Sequence, residues 1–342
     1  MPRAFNLCLL GFGNVGRALV ELLLEKRAAL GSEYGIECRI TGVATRRMGW
    51  IASPAGLDPK VLLEGAVPPP SRCARPAGVR EWLRAAQADV LFENTSLDFE
   101  TGEPAISHLR AALEHGAHAI TANKGPVVHG YRELSELARR QDRRFLFESA
   151  VMDGVPIFSM FRDTLPLVEV TGFRGVLNST TNVILGGMEA GKSFADSLRD
   201  AQSAGVAETD PAADVEGWDA AVKVAALVTV LMNYPIKLEQ VERQGVRDLT
   251  GEAVRAALAA GRRCKLVCEA RRSQGSVRAW VRPEEVPQAD ALARVEGTSS
   301  AITFYTDVFP ALTLFEENPG PKATAYGLLA DFLTAVGHRA SD

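Results

Sequence analysis

Five acidic side chains and a lysine crowd the stretch "ETDPAADVEGWDAAVKVAAL" at residues 208–227: Glu208, Asp210, Asp214, Glu216 and Asp219 precede Lys223. A lysine at the apolar end of such a cluster either neutralises it or acts on a molecule held in it. Asp219 and Lys223 are four residues apart, hence on one face of a helix, so the carboxylate can orient the amine. The structural alternative is an acidic helix N-terminus favoured by the helix dipole, with Lys223 an ordinary ion-pair partner. A second stretch, "LCLLGFGNVGRALVELL", sets Gly11, Gly13 and Gly16 as G-x-G-x-x-G between an apolar strand and a helix. In that context the glycines permit a tight turn and close approach of a pyrophosphate, and the helix start, with Asn14 and Val15, offers backbone N–H groups to the anion.

Two further strand ends carry candidate groups. "ATRR" places Arg46 and Arg47 where an acidic residue would meet a ribose hydroxyl. Arginine there suits a 2′-phosphate, so NADP(H) is expected over NAD(H). "HAITANKGP" puts Asn123 and Lys124 just past an apolar strand, at the carboxyl edge where open α/β sheets bind ligands, and both are expected to face a nicotinamide.

These groups need a scaffold, and the chain can supply one. Its 342 residues, 46% of them hydrophobic, suffice for one large or two medium domains. The formal net charge of −4, with acids and bases interspersed, argues against nucleic acid and against a membrane surface as partner. The uncharged run "VAALVTVLMNYPI" at 224–236 falls short of the roughly 20 residues a bilayer requires and reads as a buried helix. The N-terminus does not read as a signal peptide, so a cytoplasmic location is expected. The five cysteines are scattered, and Cys264 and Cys268 lie within "CKLVCEA", a strand pattern; reduced packing thiols are expected, with neither disulfides nor a zinc site.

Up to residue 150, apolar strands (5–10, 38–44, 89–93, 117–121, 144–149) alternate with helical patterns (15–30, 104–115, 131–141). Such alternation predicts a Rossmann-type, doubly wound parallel sheet with helices on both faces. Residues 46–78, with "PPP" at 68–70, read as a decorated loop with a short helix. Beyond 150 the strands lengthen and gather (167–177, 263–272, 276–283, 301–306), which predicts a second α+β domain with a mostly antiparallel sheet. The closing helical pattern returns to the first domain. The expected division is thus a dinucleotide-binding domain at 1–150, completed by a C-terminal helix at 320–342, and a substrate-binding and dimerisation domain at 151–319.

Six segments, in order, resemble homoserine dehydrogenases: "GFGNVG" (11–16), "TANKGP" (121–126), "ESAVMDGVP" (148–156), "GVLNSTTNVIL" (175–185), "GVAETDPAADVEGWDAAVKV" (205–224) and "AITFYTDVFPALTLFEENPGPKATAYGLLADFL" (301–333). The resemblance spans nearly the whole chain. It implies NAD(P)-dependent interconversion of L-homoserine and L-aspartate 4-semialdehyde, in threonine, methionine and isoleucine biosynthesis. It also implies that Lys223 and Lys124 both reach the reacting oxygen, a neutral lysine accepting the alcohol proton and an ammonium serving the reverse reduction. By the same resemblance Glu208, Asp214 and Thr180 hold the substrate, a carboxylate being the fitting partner for an α-ammonium. Gly320 belongs to a late loop at the cofactor, and main-chain oxygens of Val151, Asp153 and Val155, with Glu148 nearby, hold a monovalent cation such as Na+. Family members pair through the second domain's sheet, so a homodimer using the "LTLF" strand is expected.

The chain departs from the usual family pattern at Ser179, Val183, Val206 and Ser300, and in the loop "ENPGP". Two alternatives therefore stand beside the main reading: a dehydrogenase of another short amino alcohol or amino acid, and an NADP(H)-binding sensor without turnover. The chain is expected to lack both the fused aspartate kinase and the regulatory ligand-binding extension that many relatives carry, and so to show little feedback by threonine through such a domain.

Overall fold

Strands buried on both faces read as unbroken apolar runs, and the first unit of the computed structural model is built around four of them. Residues 2–66 and 73–337 are described; "PPP" at 68–70 and the last residues, 338–342, lie outside them. The chain divides into two units, Met1–Pro156 with the chain from Gly320, and Ile157–Pro319.

In the first unit β1 (Arg3–Leu10) leads through α1 (Asn14–Glu25) and α2 (Arg27–Tyr34) to β2 (Ile36–Thr45) and β3 (Gly49–Ala52). After α3 (Pro59–Leu63) and α4 (Val79–Ala86) come β4 (Val90–Glu93), α5 (Ala105–His115), β5 (His118–Thr121), α6 (Lys124–His129), α7 (Tyr131–Arg140) and β6 (Phe145–Leu146). The sheet order is β3-β2-β1-β4-β5-β6. All pairs are parallel except β2–β3. Strand order therefore reverses beside β1, the point at which doubly wound sheets bind ligands.

The C-terminal helix (Pro321–Val336) returns to this unit and covers one face of the sheet together with α1: Phe332, Leu328 and Leu329 join Leu19, Val20, Leu7, Leu9, Phe92 and Ile120. Each such large apolar side chain contributes on the order of 1.5–3 kcal/mol on burial. Trp82 and Leu83 of α4 and Ala111 and Ala112 of α5 close the other face over Cys8, Leu10 and Leu91.

Three details differ from the sequence reading. The helix expected at 15–30 is interrupted at Lys26, the C-cap of α1 and the N-cap of α2. The expected loop after residue 46 contains β3, which closes a hairpin with β2 through Gly49 at φ +67°. Residues 151–156 remain with the first unit, because Gly154 lets the turn approach the C-terminal helix: a Cβ there would stand 2.3 Å from the Ala323 carbonyl oxygen.

The second unit runs β7 (Val170–Val176), α8 (Ser179–Glu189), α9 (Phe194–Ser203), α10 (Ala212–Val215), α11 (Trp218–Leu231), β8 (Glu242–Arg243), α12 (Gly251–Ala259), β9 (Arg262–Ser273), β10 (Ser276–Pro287), β11 (Ser300–Thr306) and β12 (Leu312–Glu316). Its sheet, β12-β11-β7-β9-β10-β8, is antiparallel apart from the short β8–β10 pair. α11 is apolar around its circumference, with Ala220, Ala221, Val222 and Val224–Val228 buried, so Lys223 is placed by a helix that cannot rotate without exposing its core. Among the described residues no helix is long and apolar enough to cross a membrane. The cysteines are thiols, and Cys8, Cys264 and Cys268 are buried as packing groups.

Candidate active site

At the carboxyl end of β1 the glycine turn is fixed by contact and conformation. Gly11 has φ +92°, and a Cβ on it would stand 2.3 Å from the Asn94 carbonyl oxygen. A side chain at that position would displace the β4 end. Gly13 differs: nothing lies within 4 Å of where its Cβ would be, and it is the N-cap of α1 with no side chain bonding to the helix start. An open helix N-terminus, with its N–H groups and positive dipole end, fits a pyrophosphate. Gly11 N donates to Ala44 O at 2.9 Å and so ties this turn to the end of β2, two residues before the exposed Arg46 and Arg47.

The ends of β4 and β5 lie beside the turn. Lys124 is half-buried as the first residue of α6. Asn123, expected to face the nicotinamide, turns its side chain inward instead: Oδ1 accepts from Gly125 N at 3.0 Å, capping α6, and Nδ2 donates to Thr95 O at 3.3 Å. These bonds fix the loop ahead of α6. Glu93, fully buried, also lies here, and burial raises its carboxyl above the usual range against three hydrogen bonds from Thr95 and Thr121.

In the second unit the acidic segment folds back on the end of β7. Lys223 Nζ donates to Leu177 O at 2.6 Å and stands 3.6 Å from Asp219 Oδ2. The side chains of Lys223 and Asp219 retain 16% and 19% exposure. Asn178 was not singled out from sequence, yet it organises the cluster: its Nδ2 donates to Asp214 Oδ1 at 2.6 Å and to Asp219 Oδ2 at 3.1 Å, while its Oδ1 caps α8 by accepting from Thr181 N at 2.9 Å. Asparagine suits this position because one amide donates and accepts simultaneously. Thr180 is buried beside it, its hydroxyl donating to Val206 O at 3.2 Å. Glu208 is not part of this hydrogen-bonded group; it is exposed, on a turn whose carbonyl accepts from Gln202 Nε2 at 3.1 Å.

Burial, and after it the Asp219 carboxylate, raise the Asp214 carboxyl above its ordinary value, with hydrogen bonds from Asn178 and Thr180 and the charge of Lys223 opposing the shift. Two carboxylates sharing one amide donor make a site that favours an added cation such as an α-ammonium.

Gly320 is the N-cap of the C-terminal helix, and Asn318 ahead of it adopts a left-handed φ of +44°. The Val151–Val155 turn contains Asp153 at φ +43°, and Asp153 Oδ1 accepts a hydrogen bond from the Thr324 hydroxyl. Glu148, 3% exposed, precedes it, with its backbone N donating to Asp331 Oδ2 at 2.7 Å.

A doubly wound unit with its glycine turn at the strand-order reversal, and a second unit with a lysine set among carboxylates, define a nicotinamide-dependent oxidoreductase class. Comparison with known proteins narrows the class. Residues 11–148 match the homoserine dehydrogenase NAD-binding domain and residues 156–333 the homoserine dehydrogenase domain. The chain is 34% identical over 335 residues to the NAD(+)-dependent homoserine dehydrogenase of Pseudomonas canavaninivorans, covering 96% of this chain and 95% of that one. It is 32% identical to the homoserine dehydrogenase of Sulfurisphaera tokodaii, over 96% of this chain and 97% of the other. A hyperthermophilic archaeal homoserine dehydrogenase mutant solved in complex with NADPH superposes with a TM-score of 0.81 at 28% identity, covering 97% and 98% of the two chains. The chain belongs to the homoserine dehydrogenase family, NAD(P)-dependent oxidoreductases of amino-acid biosynthesis.

Asp214 gives the site a pH signature. A cationic group beside Asp214 would be favoured by its carboxylate form, so protonation of this raised group is expected to oppose binding of such a group. kcat/KM for L-homoserine is expected to fall as pH drops through the Asp214 titration, since the carboxylate form of this raised group is lost there. Asp214→Asn is expected to lose that limb and to raise KM by about ten- to a hundred-fold, the worth of a charge-assisted hydrogen bond. Steady-state kinetics across pH, in both proteins, reads the difference.

Proposed function

We propose that Lys223 is the proton acceptor when L-homoserine is oxidised to L-aspartate 4-semialdehyde, and that Asp214 and Thr180 seat the amino acid. The observation that carries this reading is the fixed Leu177–Lys223–Asp219–Asn178–Asp214 arrangement: a helix-borne amine held at a strand end, with carboxylates beside it for a cationic substrate group. Bound NAD(P)+ supplies the hydride acceptor. Lys223 Nζ takes the hydroxyl proton, Asp219 orients the amine, and Lys124 assists at the same oxygen. Glu208, on its exposed turn, supplies a further carboxylate to the substrate.

Gly11, Gly13, Asn14, Val15 and Gly16 hold the pyrophosphate, and Lys124 and Gly320 contribute from the ends of their elements. We assign preference for NADP(H) to Arg46 and Arg47, exposed just past Ala44, whose carbonyl is bonded to Gly11. Replacing both by alanine is expected to raise the KM for NADP+ at least ten-fold while changing that for NAD+ less than three-fold, as measured by initial rates with each cofactor. A monovalent cation is assigned to the main-chain oxygens of Val151, Asp153 and Val155, its charge matched by the buried carboxylate of Glu148, in a structural role.

The first unit serves as dinucleotide-binding domain and the second as substrate-binding and dimerisation domain. A cytoplasmic homodimer is proposed, paired through the second unit's sheet, whose outer strand β12 carries Phe315 at 46% exposure. Light scattering is expected to give a dimer, and Phe315→Glu a monomer.

The decisive experiment follows reduced nicotinamide while the enzyme meets L-homoserine and a panel of short amino alcohols and amino acids, with NADP+ and NAD+. Turnover restricted to homoserine supports the reading. Turnover of a different member assigns another substrate, and cofactor binding without any turnover makes the chain a sensor.

A further inference from the structure

The parallel strands β4 and β5 end level with each other, Glu93 opposite Thr121, and beyond them four residues close a ring of hydrogen bonds. Thr121 Oγ1 donates toward Glu93 Oε2 at 2.8 Å and the Glu93 carbonyl at 3.0 Å. It also accepts from Asn123 N at 2.9 Å. Asn123 Nδ2 donates to Thr95 O, and Thr95 returns its backbone N–H, at 2.9 Å, and its hydroxyl to Glu93 Oε1. Glu93 and Thr121 are fully buried and Asn123 is 6% exposed, so the bonds among these three are shielded from water, while Thr95 is half-buried.

The ring lies directly ahead of α6. What it fixes is the first turn of α6: Asn123 Oδ1 caps Gly125 N at 3.0 Å, and Gly125 is pressed against the loop ahead of α5, where a Cβ would lie 2.8 Å from Gly102 Cα. Lys124 sits between these two anchored residues. We propose that the Glu93–Thr95–Asn123–Thr121 ring is the positioning device for Lys124, with Thr121 and Glu93 as positioning residues and not catalytic ones; the proposal rests on the assignment of Lys124 to the reacting oxygen.

The arrangement has a chemical logic. A carboxylate accepts from several donors at once, so Glu93 gathers both hydroxyls and a backbone N–H into one fixed geometry. Thr121 supplies the only ring atom that both donates and accepts between the two strand ends. Removing its hydroxyl opens the ring while leaving side-chain volume nearly unchanged.

Thr121→Val and Thr121→Ser, with Lys124→Ala as reference, test this. In Thr121→Val, kcat for homoserine oxidation is expected to fall at least ten-fold and amide hydrogen exchange across residues 122–125 to quicken. Thr121→Ser, which keeps the hydroxyl, is expected to restore kcat to within about three-fold and to restore slow exchange. Unchanged exchange in Thr121→Val overturns the proposal, as does equal loss in the valine and serine variants, or a kcat that falls only in proportion to the folded fraction. If Lys124→Ala is inactive while Thr121→Val, with faster exchange, keeps full kcat, the ring does not position the lysine although the Lys124 assignment stands. If Lys124→Ala keeps full activity, that assignment fails and the proposal with it, whatever exchange shows.

Discussion

Replacing Lys223 by alanine is expected to lower kcat for L-homoserine oxidation about 10³-fold while leaving the Kd for NADP+ within three-fold. The size follows from the worth of a positioned proton acceptor, typically 10²–10⁴-fold. The separation follows from the structure, because Lys223 belongs to the second unit and the glycine turn to the first. Lys223→Arg should recover little: a guanidinium stays protonated across the accessible pH range and cannot accept the alcohol proton. The fold should persist in both variants, since α11 is held by its buried apolar residues Ala220, Ala221, Val222 and Val224–Val228. A variant with wild-type kcat would remove Lys223 from the chemistry.

The second large effect is expected at Gly11. Alanine there takes a φ of +92° that L-residues rarely adopt, and its Cβ meets the Asn94 carbonyl at 2.3 Å, so backbone has to move. Gly11→Ala is expected to lose about 3 kcal/mol of stability and to weaken NADP(H) binding ten-fold or more, because the displaced β4 end carries Glu93 and the loop at Asn94. Gly13→Ala is the informative partner: the space around Gly13 is open, so stability should change little while cofactor affinity still falls, the added methyl intruding where a pyrophosphate approaches. Thermal melts and fluorescence titration with NADPH distinguish the two. Equal melting temperatures for Gly11→Ala and the parent would contradict the strain argument.

Where local chemistry decides structure, the sequence was readable. β1, β4 and β5 are apolar runs because both their faces are covered, and the glycine motif sits between a strand and a helix as the spacing requires. The all-apolar α11 and the returning C-terminal helix follow from composition and helical spacing. Long-range pairing was not readable. Asn178 bridges carboxylates 36 and 41 residues downstream, and in sequence it is only a cap residue ahead of a helix. The ring at Glu93 joins residues 28 apart, through hydroxyls common on any surface. Asn123 adjoins Lys124 in sequence, but that its side chain caps α6 and bonds Thr95 O was not readable there. Lys265 shows the same limit: it lies in a strand pattern, yet folding leaves it 2% exposed, bonded to Asn182 Oδ1 at 2.7 Å, with burial lowering its pKa to about 8. β3 escaped notice because its four residues carry no strand period and are set by the hairpin with β2.

The claim that Lys223 accepts the substrate proton is tested most directly by chemical rescue. Lys223→Ala would be assayed for homoserine oxidation in the presence of small primary amines of graded basicity. The account predicts that turnover returns and that its rate rises with amine basicity, as expected when the missing group is a base. Rescue that is indifferent to basicity, or a variant that needs no rescue, would contradict it.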